Sequence, residues 1–153
     1  KVEIQGKKVL VLGNGGASKA VVAVLKALKA KEIVLVGRTL RENTVSFEEC
    51  YEKHTDGQVI VNTTPVGMYP NINESPIDAS KFTKCEAVLD IIYNPLQTKL
   101  LLQAENLKIK AVNGLEMLVA QAKYASELFL NKKIDNTRIE EITTELYDMI
   151  MNK

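Results

Sequence analysis

The chain has 153 residues, of which 46% are hydrophobic and 25% are charged, and its formal net charge is +1. This length suits a single domain over residues 1–153 that buries roughly two-thirds of its unfolded surface. The near-neutral charge gives no electrostatic reason to expect nucleic acid or an anionic membrane as a partner. Cys50, Cys85 and the single His54 lack metal-ligand spacing, so neither a zinc site nor a disulfide framework is predicted. With no membrane-length apolar run and no signal-peptide pattern, a reducing, cytoplasmic location is expected.

The first forty residues have the pattern of a strand, a glycine cluster, a helix and a second strand. Val9–Leu12 is a continuous aliphatic run, which is typical of a strand buried on both faces of a parallel sheet. Apolar residues at helical spacing follow over Ala17–Ala30, and Ile33–Val36 is the next aliphatic run. A β-α-β unit of this length begins a doubly wound sheet.

Strands and helices alternate through the rest of the chain. Strands are predicted at Val59–Asn62, Ala87–Ile92 and Lys108–Val112, and helices at Thr98–Glu105, Leu115–Leu130 and Thr137–Met151. This order predicts an α/β fold, Rossmann-like and doubly wound, with a mainly parallel sheet and helices on both faces.

The segment after the second strand is short for this fold. Six residues from Thr39 to Thr44 cannot make a parallel crossover, which needs about a dozen. We therefore expect a sheet trimmed between the second strand and Val59, in which "TVSF" from Thr44 is antiparallel or a loop. "SFEECYEKH" from Ser46 is predicted to form a short helix with His54 at its exposed end, as a surface residue rather than a catalytic one.

The glycine cluster has the pattern of a dinucleotide-binding loop. Gly13 would allow the tight turn out of the first strand, Gly15 the approach of a pyrophosphate, and Ser18 close packing of the helix. Backbone N–H groups would then face an anion at the positive end of the helix, contributed by Asn14, Gly15, Gly16 and Ala17. The same pattern also fits a turn with no ligand.

The residues after the second strand favour NADP over NAD. NAD-binding domains place an acidic residue there for the ribose hydroxyls, whereas this chain has Gly37-Arg38-Thr39 followed by Arg41. A guanidinium forms paired charge-assisted hydrogen bonds with a 2′-phosphate, which a carboxylate would repel. The alternative is that Arg38 is only a solvated charge at a strand end.

Three further stretches sharpen this interpretation: "NTTPVGM" from Asn62, "DIIYNPLQTKLL" from Asp90 and "NGLEMLVAQA" from Asn113. Together with "GNGGASKA" and "GRT", their order and spacing resemble the shikimate dehydrogenase family from Lys7 to about Phe129. The resemblance implies the NADP-binding domain of an enzyme that reduces 3-dehydroshikimate to shikimate in aromatic amino acid biosynthesis.

The resemblance also implies roles for individual residues. The diphosphate loop falls on Gly13–Ala17, and an Asn-Arg-Thr motif for the adenosine phosphate falls on Gly37, Arg38 and Thr39, with Arg41 as a second basic group. Gly37 stands where the family has Asn, which puts one adenosine contact in doubt. On the nicotinamide side the implied residues are Asn62, Thr63, Thr64, Ile91 and Gly114, and on the substrate side they are Tyr93 and Gln121. From the residues alone, Thr63 and Thr64 fit equally well as turn residues before Pro65.

No catalytic residue is expected in this chain. In the resembling family a Lys-Asp pair assists hydride transfer, and it belongs to an N-terminal substrate domain that would precede Lys1. The chain is therefore expected to bind NADP weakly without turning over substrate. Its expected partners are shikimate or 3-dehydroshikimate and the missing domain, and the apolar face of Thr137–Met151 would favour self-association.

Two other functions fit parts of the pattern. A non-catalytic NADP(H)-binding module would share the glycine loop and Arg38, but it has no use for a substrate-facing amide at Gln121. A quinate/shikimate dehydrogenase shares the motifs, although many of those favour NAD with an acidic residue where this chain has Arg38.

Overall fold

The computed structural model describes residues 2–39 and 41–152. The chain forms two compact units, Lys1–Asn113 and Gly114–Lys153. A parallel sheet with its helices makes up the first unit, and two helices make up the second. None of the helices in the described part of the chain is long and apolar enough to cross a membrane.

Within the residues described, the sheet of the first unit has six strands, and every strand pairing in it is parallel. The strands are β1 (Lys8–Leu12), β2 (Glu32–Val36), β3 (Thr44–Val45), β4 (Val59–Asn62), β5 (Ala87–Asp90) and β6 (Lys110–Val112). Their spatial order is β3-β2-β1-β4-β5-β6, so the direction of winding reverses between β1 and β4. The predicted Rossmann-like fold is confirmed, and its ligand crevice is expected at that reversal.

Helices cover both faces of this sheet, because alternate side chains of each buried strand point to opposite sides. The helices of the first unit are α1 (Gly16–Ala27), α2 (Phe47–Lys53) and α3 (Lys99–Asn106), with a 3₁₀ turn at Ala79–Lys81. Val9 and Val11 pack in a cluster with Leu25 of α1. Leu10 and Leu12 pack in a second cluster with residues of α2 and α3.

The prediction that "TVSF" would be antiparallel or a loop is wrong. β3 pairs parallel with the end of β2, with Leu35 opposite Thr44 and Val36 opposite Val45. In a full crossover the chain must travel back along the whole length of a strand before the next parallel strand begins. β3 pairs with only the last two residues of β2, so a short connection is enough.

The helix after β3 is confirmed as α2. Its N-cap is Ser46, whose side chain accepts a hydrogen bond from the Glu49 N–H. His54 caps its C-terminal end and is half-buried rather than exposed, and its Nδ1 has no hydrogen-bond partner within the described ranges.

Three predicted boundaries shift by two or three residues. β5 ends at Asp90 rather than Ile92, and the other two shift because helices end in left-handed turns. Lys29 follows α1 with φ 59° and Lys108 follows α3 with φ 59°. Each lysine is followed by an N–H that reaches back to the helix: Ala30 donates to the Leu25 carbonyl, and Ile109 donates to the Ala104 carbonyl. Consequently α1 ends at Ala27, and β6 begins at Lys110 rather than Lys108.

The second unit consists of α4 (Leu115–Leu130) and α5 (Thr137–Met151), with the predicted boundaries. A buried ion pair organises their connection: Lys123 Nζ lies 3.1 Å from Glu127 Oε1 and donates to Asn136 Oδ1 at 2.6 Å. Glu127 also accepts the Ile134 N–H at 2.7 Å. Leu128 and Phe129 are 86% and 90% exposed, and self-association remains a prediction.

Candidate functional site

A cleft of about 430 Å³ opens at the carboxyl ends of the central strands. It lies at the reversal of winding, where β1 and β4 are neighbours. It brings together seven of the residues predicted for the cofactor: Gly13, Asn14, Gly15, Arg38, Thr39, Thr63 and Thr64. The remaining lining residues are Gly37, Phe47, Pro65, Val66, Ser75 and Pro76.

Gly13 makes the turn out of β1 in a conformation that requires glycine. Its φ is +106°, and a Cβ at this position would lie 2.7 Å from Thr63 Oγ1. Its N–H donates to the Val36 carbonyl at 2.7 Å, while the Thr63 hydroxyl donates to the Leu12 carbonyl at 2.7 Å. The loop is thereby fixed to both neighbouring strands, so the chain can turn directly into α1.

The first turn of α1 leaves uncompensated positive charge beside the cleft. Its N-cap is Gly15, which has no side chain to accept the first free N–H groups, and the turn contains no acidic residue. Ser18 is only 2% exposed, and its hydroxyl donates to the Gly15 carbonyl at 2.7 Å. The buried Ser18 thus fits the predicted role of the small third residue.

Arg38 and Thr39 follow β2 and line the other side of the cleft. Arg38 is exposed, and within residues 2–39 and 41–152 its guanidinium has no hydrogen bond or ion pair. Arg41 donates to the Asn14 carbonyl at 3.4 Å and likewise has no acidic partner in this part of the chain. Two cations are therefore available for an anion beside the glycine loop.

A buried hydrogen-bond network lies at the ends of β4 and β5. Asn62 donates to Asp90 Oδ1 at 3.0 Å, and Thr98 at the start of α3 donates to Asp90 Oδ2 at 2.8 Å. The Ile92 N–H also donates to Asp90 Oδ1, at 3.1 Å. Asn62 Oδ1 accepts both the N–H and the hydroxyl of Thr64, at 3.0 and 2.7 Å. We call Asn62, Thr64, Asp90 and Thr98 the Asp90 network.

Burial raises the pKa of the Asp90 carboxyl, although the hydrogen bonds from Thr98, Ile92 and Asn62 act in the opposite direction. Desolvation outweighs them because the side chain is 2% exposed and no cation contacts it in the described structure. The network therefore fixes the loops after β4 and β5 at some cost in charge burial.

No family model matches the chain. The shikimate dehydrogenase (NADP⁺) of Clostridium perfringens strain SM101 is 40% identical over an alignment of 156 positions, which covers 95% of this chain and 57% of that enzyme. A chorismate mutase/shikimate 5-dehydrogenase fusion protein from Clostridium acetobutylicum has a crystal structure that superposes with a TM-score of 0.90 at 39% identity. That match covers 98% of this chain and 57% of the other.

This chain is a relative of the shikimate dehydrogenases. It spans about half the length of the curated relatives that it matches. The structure of shikimate 5-dehydrogenase from Thermus thermophilus, in complex with NADP(H) and shikimate, matches 90% of the chain and 54% of that enzyme, with a TM-score of 0.74 and 29% identity.

Several residues that the shikimate dehydrogenase resemblance implies lie outside the cleft lining. Gly16 and Ala17 are exposed in the first turn of α1, and Tyr93 is 45% exposed beyond β5. Ile91 is half-buried, and its N–H donates to the Asn62 carbonyl at 3.2 Å. Arg41 contacts Asn14 from beside a second, smaller cavity. Gly114 and Gln121 belong to the second unit.

Asn62 and the two threonines have structural contacts of their own. Asn62 is fully buried and bonded to Asp90 and Thr64. The Thr64 hydroxyl accepts the Val66 N–H beside Pro65, which is a contact of the turn alternative, whereas the Thr63 hydroxyl donates to the Leu12 carbonyl at the end of β1. Direct contact of these side chains with a cofactor remains a prediction.

Sequence reasoning missed part of the lining, namely Phe47, Pro65, Val66, Ser75 and Pro76. Phe47 carried a usable signal, because Ser46 marks a helix N-terminus and the first residue of such a helix lies at the strand ends. Ser75 and Pro76 belong to an irregular loop whose path no local periodicity indicates.

Proposed function

We propose that this chain binds NADP(H) in the cleft at the carboxyl ends of β1, β2 and β4. The observation that carries the proposal is the pairing of two features across one cleft. The glycine loop offers backbone N–H groups at the start of α1, and Arg38 faces the cleft without a carboxylate partner among the described residues. A diphosphate suits the first feature and a 2′-phosphate suits the second.

The residues present fit this cofactor. Thr63 occupies the space that a Cβ at Gly13 would need, so the chain turns tightly out of β1. Such a tight glycine turn lets a phosphate approach the backbone of the loop. No acidic residue stands at the end of β2, where NAD-binding domains place one. When bound, NADPH supplies a hydride, and the residues of this chain bind and orient its phosphates.

We further propose that the whole enzyme reduces 3-dehydroshikimate to shikimate and that this chain is its cofactor-binding part. Ketone reduction also needs a group that protonates or stabilises the carbonyl oxygen. In the resembling family this group lies in the N-terminal substrate domain. The chain's half-length match to its relatives supports the same division of labour. Tyr93 and Gln121 are proposed as its contributions to the substrate site, in a cytoplasmic enzyme.

The test of cofactor binding is a calorimetric titration of the chain with NADP and with NAD. We expect tighter binding of NADP, and we expect Arg38→Gln to weaken it roughly ten- to a hundredfold, because a charge-assisted bond to phosphate contributes on the order of 1.5 to 3 kcal/mol. NAD binding should not change. Arg138→Gln is the matched control, since Arg138 is an exposed arginine in the second unit that pairs with Glu141. Equal affinities for the two cofactors would refute the role of Arg38.

The test of the division of labour is turnover. The chain alone, mixed with NADPH and 3-dehydroshikimate, should show no loss of the absorbance of NADPH. Detectable reduction of 3-dehydroshikimate would contradict the proposal. In the full-length enzyme, Gln121→Ala should raise KM for the substrate while leaving NADP affinity unchanged. An unchanged KM would remove Gln121 from the substrate site.

A further inference from the structure

The side chain of Asn14 bridges the glycine loop and the segment that carries Arg38. Its Nδ2 donates to the main-chain carbonyl of Thr39 at 2.6 Å, across 25 positions of sequence. From the other side, Arg41 donates to the main-chain carbonyl of Asn14 at 3.4 Å. Asn14 is therefore in contact with both Thr39 and Arg41.

Gly37 leaves the space that this bridge needs. A Cβ at position 37 would lie 2.9 Å from Asn14 Nδ2 and 3.1 Å from Asn14 Cγ, and 3.2 Å from Thr44 Cγ2. Gly37 is not in the left-handed region, so its lack of a side chain serves space rather than backbone conformation. The amide at position 14 and the bare position 37 are thus complementary.

Few other contacts hold the segment that carries the cation. The Gly37 N–H donates to the Val45 carbonyl at 3.0 Å, which fixes the segment at its start. Beyond it, within the described ranges, Arg38 has no hydrogen bond, and the bond from Asn14 is the one that Thr39 makes. At the far end, the Thr44 N–H donates to the Arg41 carbonyl at 3.0 Å. Between these two backbone bonds, the Asn14 amide is the side chain that ties Thr39 to the glycine loop.

We propose that Asn14 is a positioning residue for the cofactor's 2′-phosphate. Its side chain holds Arg38 and Thr39 at a fixed distance from the glycine loop. This rests on the proposed NADP function. The diphosphate and the 2′-phosphate of one NADP molecule are joined through a single ribose, so the two anion sites must match that spacing. NAD lacks the 2′-phosphate and does not depend on it.

The test is a double-mutant cycle with Asn14→Ala and Gly37→Ala, in which the affinities for NADP and NAD are measured by calorimetry. Asn14→Ala should weaken NADP binding about three- to tenfold and leave NAD within about twofold. Gly37→Ala should have a similar effect, because its methyl group displaces the amide. When Asn14→Ala is already present, adding Gly37→Ala should cost little more, because the group it displaces is already gone.

A purely structural role for Asn14 would move both cofactors together, so equal loss of NADP and NAD affinity would overturn the inference. Additive effects of the two substitutions would also overturn it. If Asn14→Ala does not fold, Gly37→Ala alone decides between the same outcomes, since it retains Asn14. The proposed function fails separately, when wild type does not prefer NADP or Arg38→Gln does not reduce that preference. The inference alone fails when Arg38→Gln reduces the preference and Asn14→Ala does not.

Discussion

Two polar clusters lie along the same edge of one sheet, and they are built in opposite ways. At the ends of β1 and β2, Arg38 and the first N–H groups of α1 are left open toward a cleft. At the ends of β4 and β5, the Asp90 network is buried, and the two carboxylate oxygens of Asp90 accept hydrogen bonds from three donors. Position at the strand ends therefore does not by itself indicate ligand contact. Open donors indicate binding, whereas paired donors indicate that loops are being fixed.

The largest expected effect comes from removing the acceptor of the buried cluster. Asp90→Ala would leave Asn62, Ile92 and Thr98 with unsatisfied buried donors, and we expect the free energy of unfolding to fall by about 3 kcal/mol. Urea unfolding measures it. Asp148→Ala, at an exposed position of α5, is the matched control and should stay within about 0.5 kcal/mol of wild type. An Asp90→Ala loss no larger than that of the control would contradict the comparison.

In the open cluster the sensitive element is the backbone rather than a buried acceptor. Gly13→Ala should lower the free energy of unfolding by about 2 kcal/mol, because φ is +106° and the new methyl group meets Thr63 Oγ1 at 2.7 Å. Gly16→Ala is the control three residues along, since a Cβ there meets nothing within 4 Å. It should be neutral or slightly stabilising. Equal losses at both positions would show that the turn does not require glycine at position 13.

The smallest expected effect is a dependence on pH. Because the pKa of Asp90 is raised in the folded state, its contribution to stability is full below its unfolded pKa of 3.8 and is lost as pH rises through the folded value. Asp90→Asn does not titrate, so the stability difference should shift in favour of the variant as pH rises above 3.8. Unfolding free energies of both proteins at several pH values measure this difference. A constant difference would mean that burial does not perturb this carboxyl.

Local pattern was enough for the parts of the fold that local pattern controls. The aliphatic runs gave five of the strands, and the capping residue Ser46 marked α2. β3 was misjudged because the crossover rule assumes a full return along the strand, whereas this pairing is two residues long. The turns at Lys29 and Lys108 were missed because lysine seldom adopts positive φ, and nothing in the sequence marks those positions as left-handed.

The candidate site divides in the same way. The glycine loop and Arg38 were predictable because each motif consists of residues that are adjacent in the sequence, and both line the cleft. The partners of Asn62 and Asn14 were not, since each amide bonds to a residue 25 or more positions away. Gly37 shows the limit most clearly. From sequence it is a missing contact, and in the fold it makes room for the Asn14 amide.

Because Arg38 and Arg41 are exposed, we expect the strength of phosphate binding at this site to depend on ionic strength. Both guanidinium groups are exposed to solvent, so mobile ions screen them over a Debye length of about 8 Å at physiological ionic strength. Their attraction for a phosphate therefore weakens with added salt, and it does so more for a ligand with an extra phosphate. The discrimination between the two cofactors is thus set partly by the ionic strength of the solution around the protein.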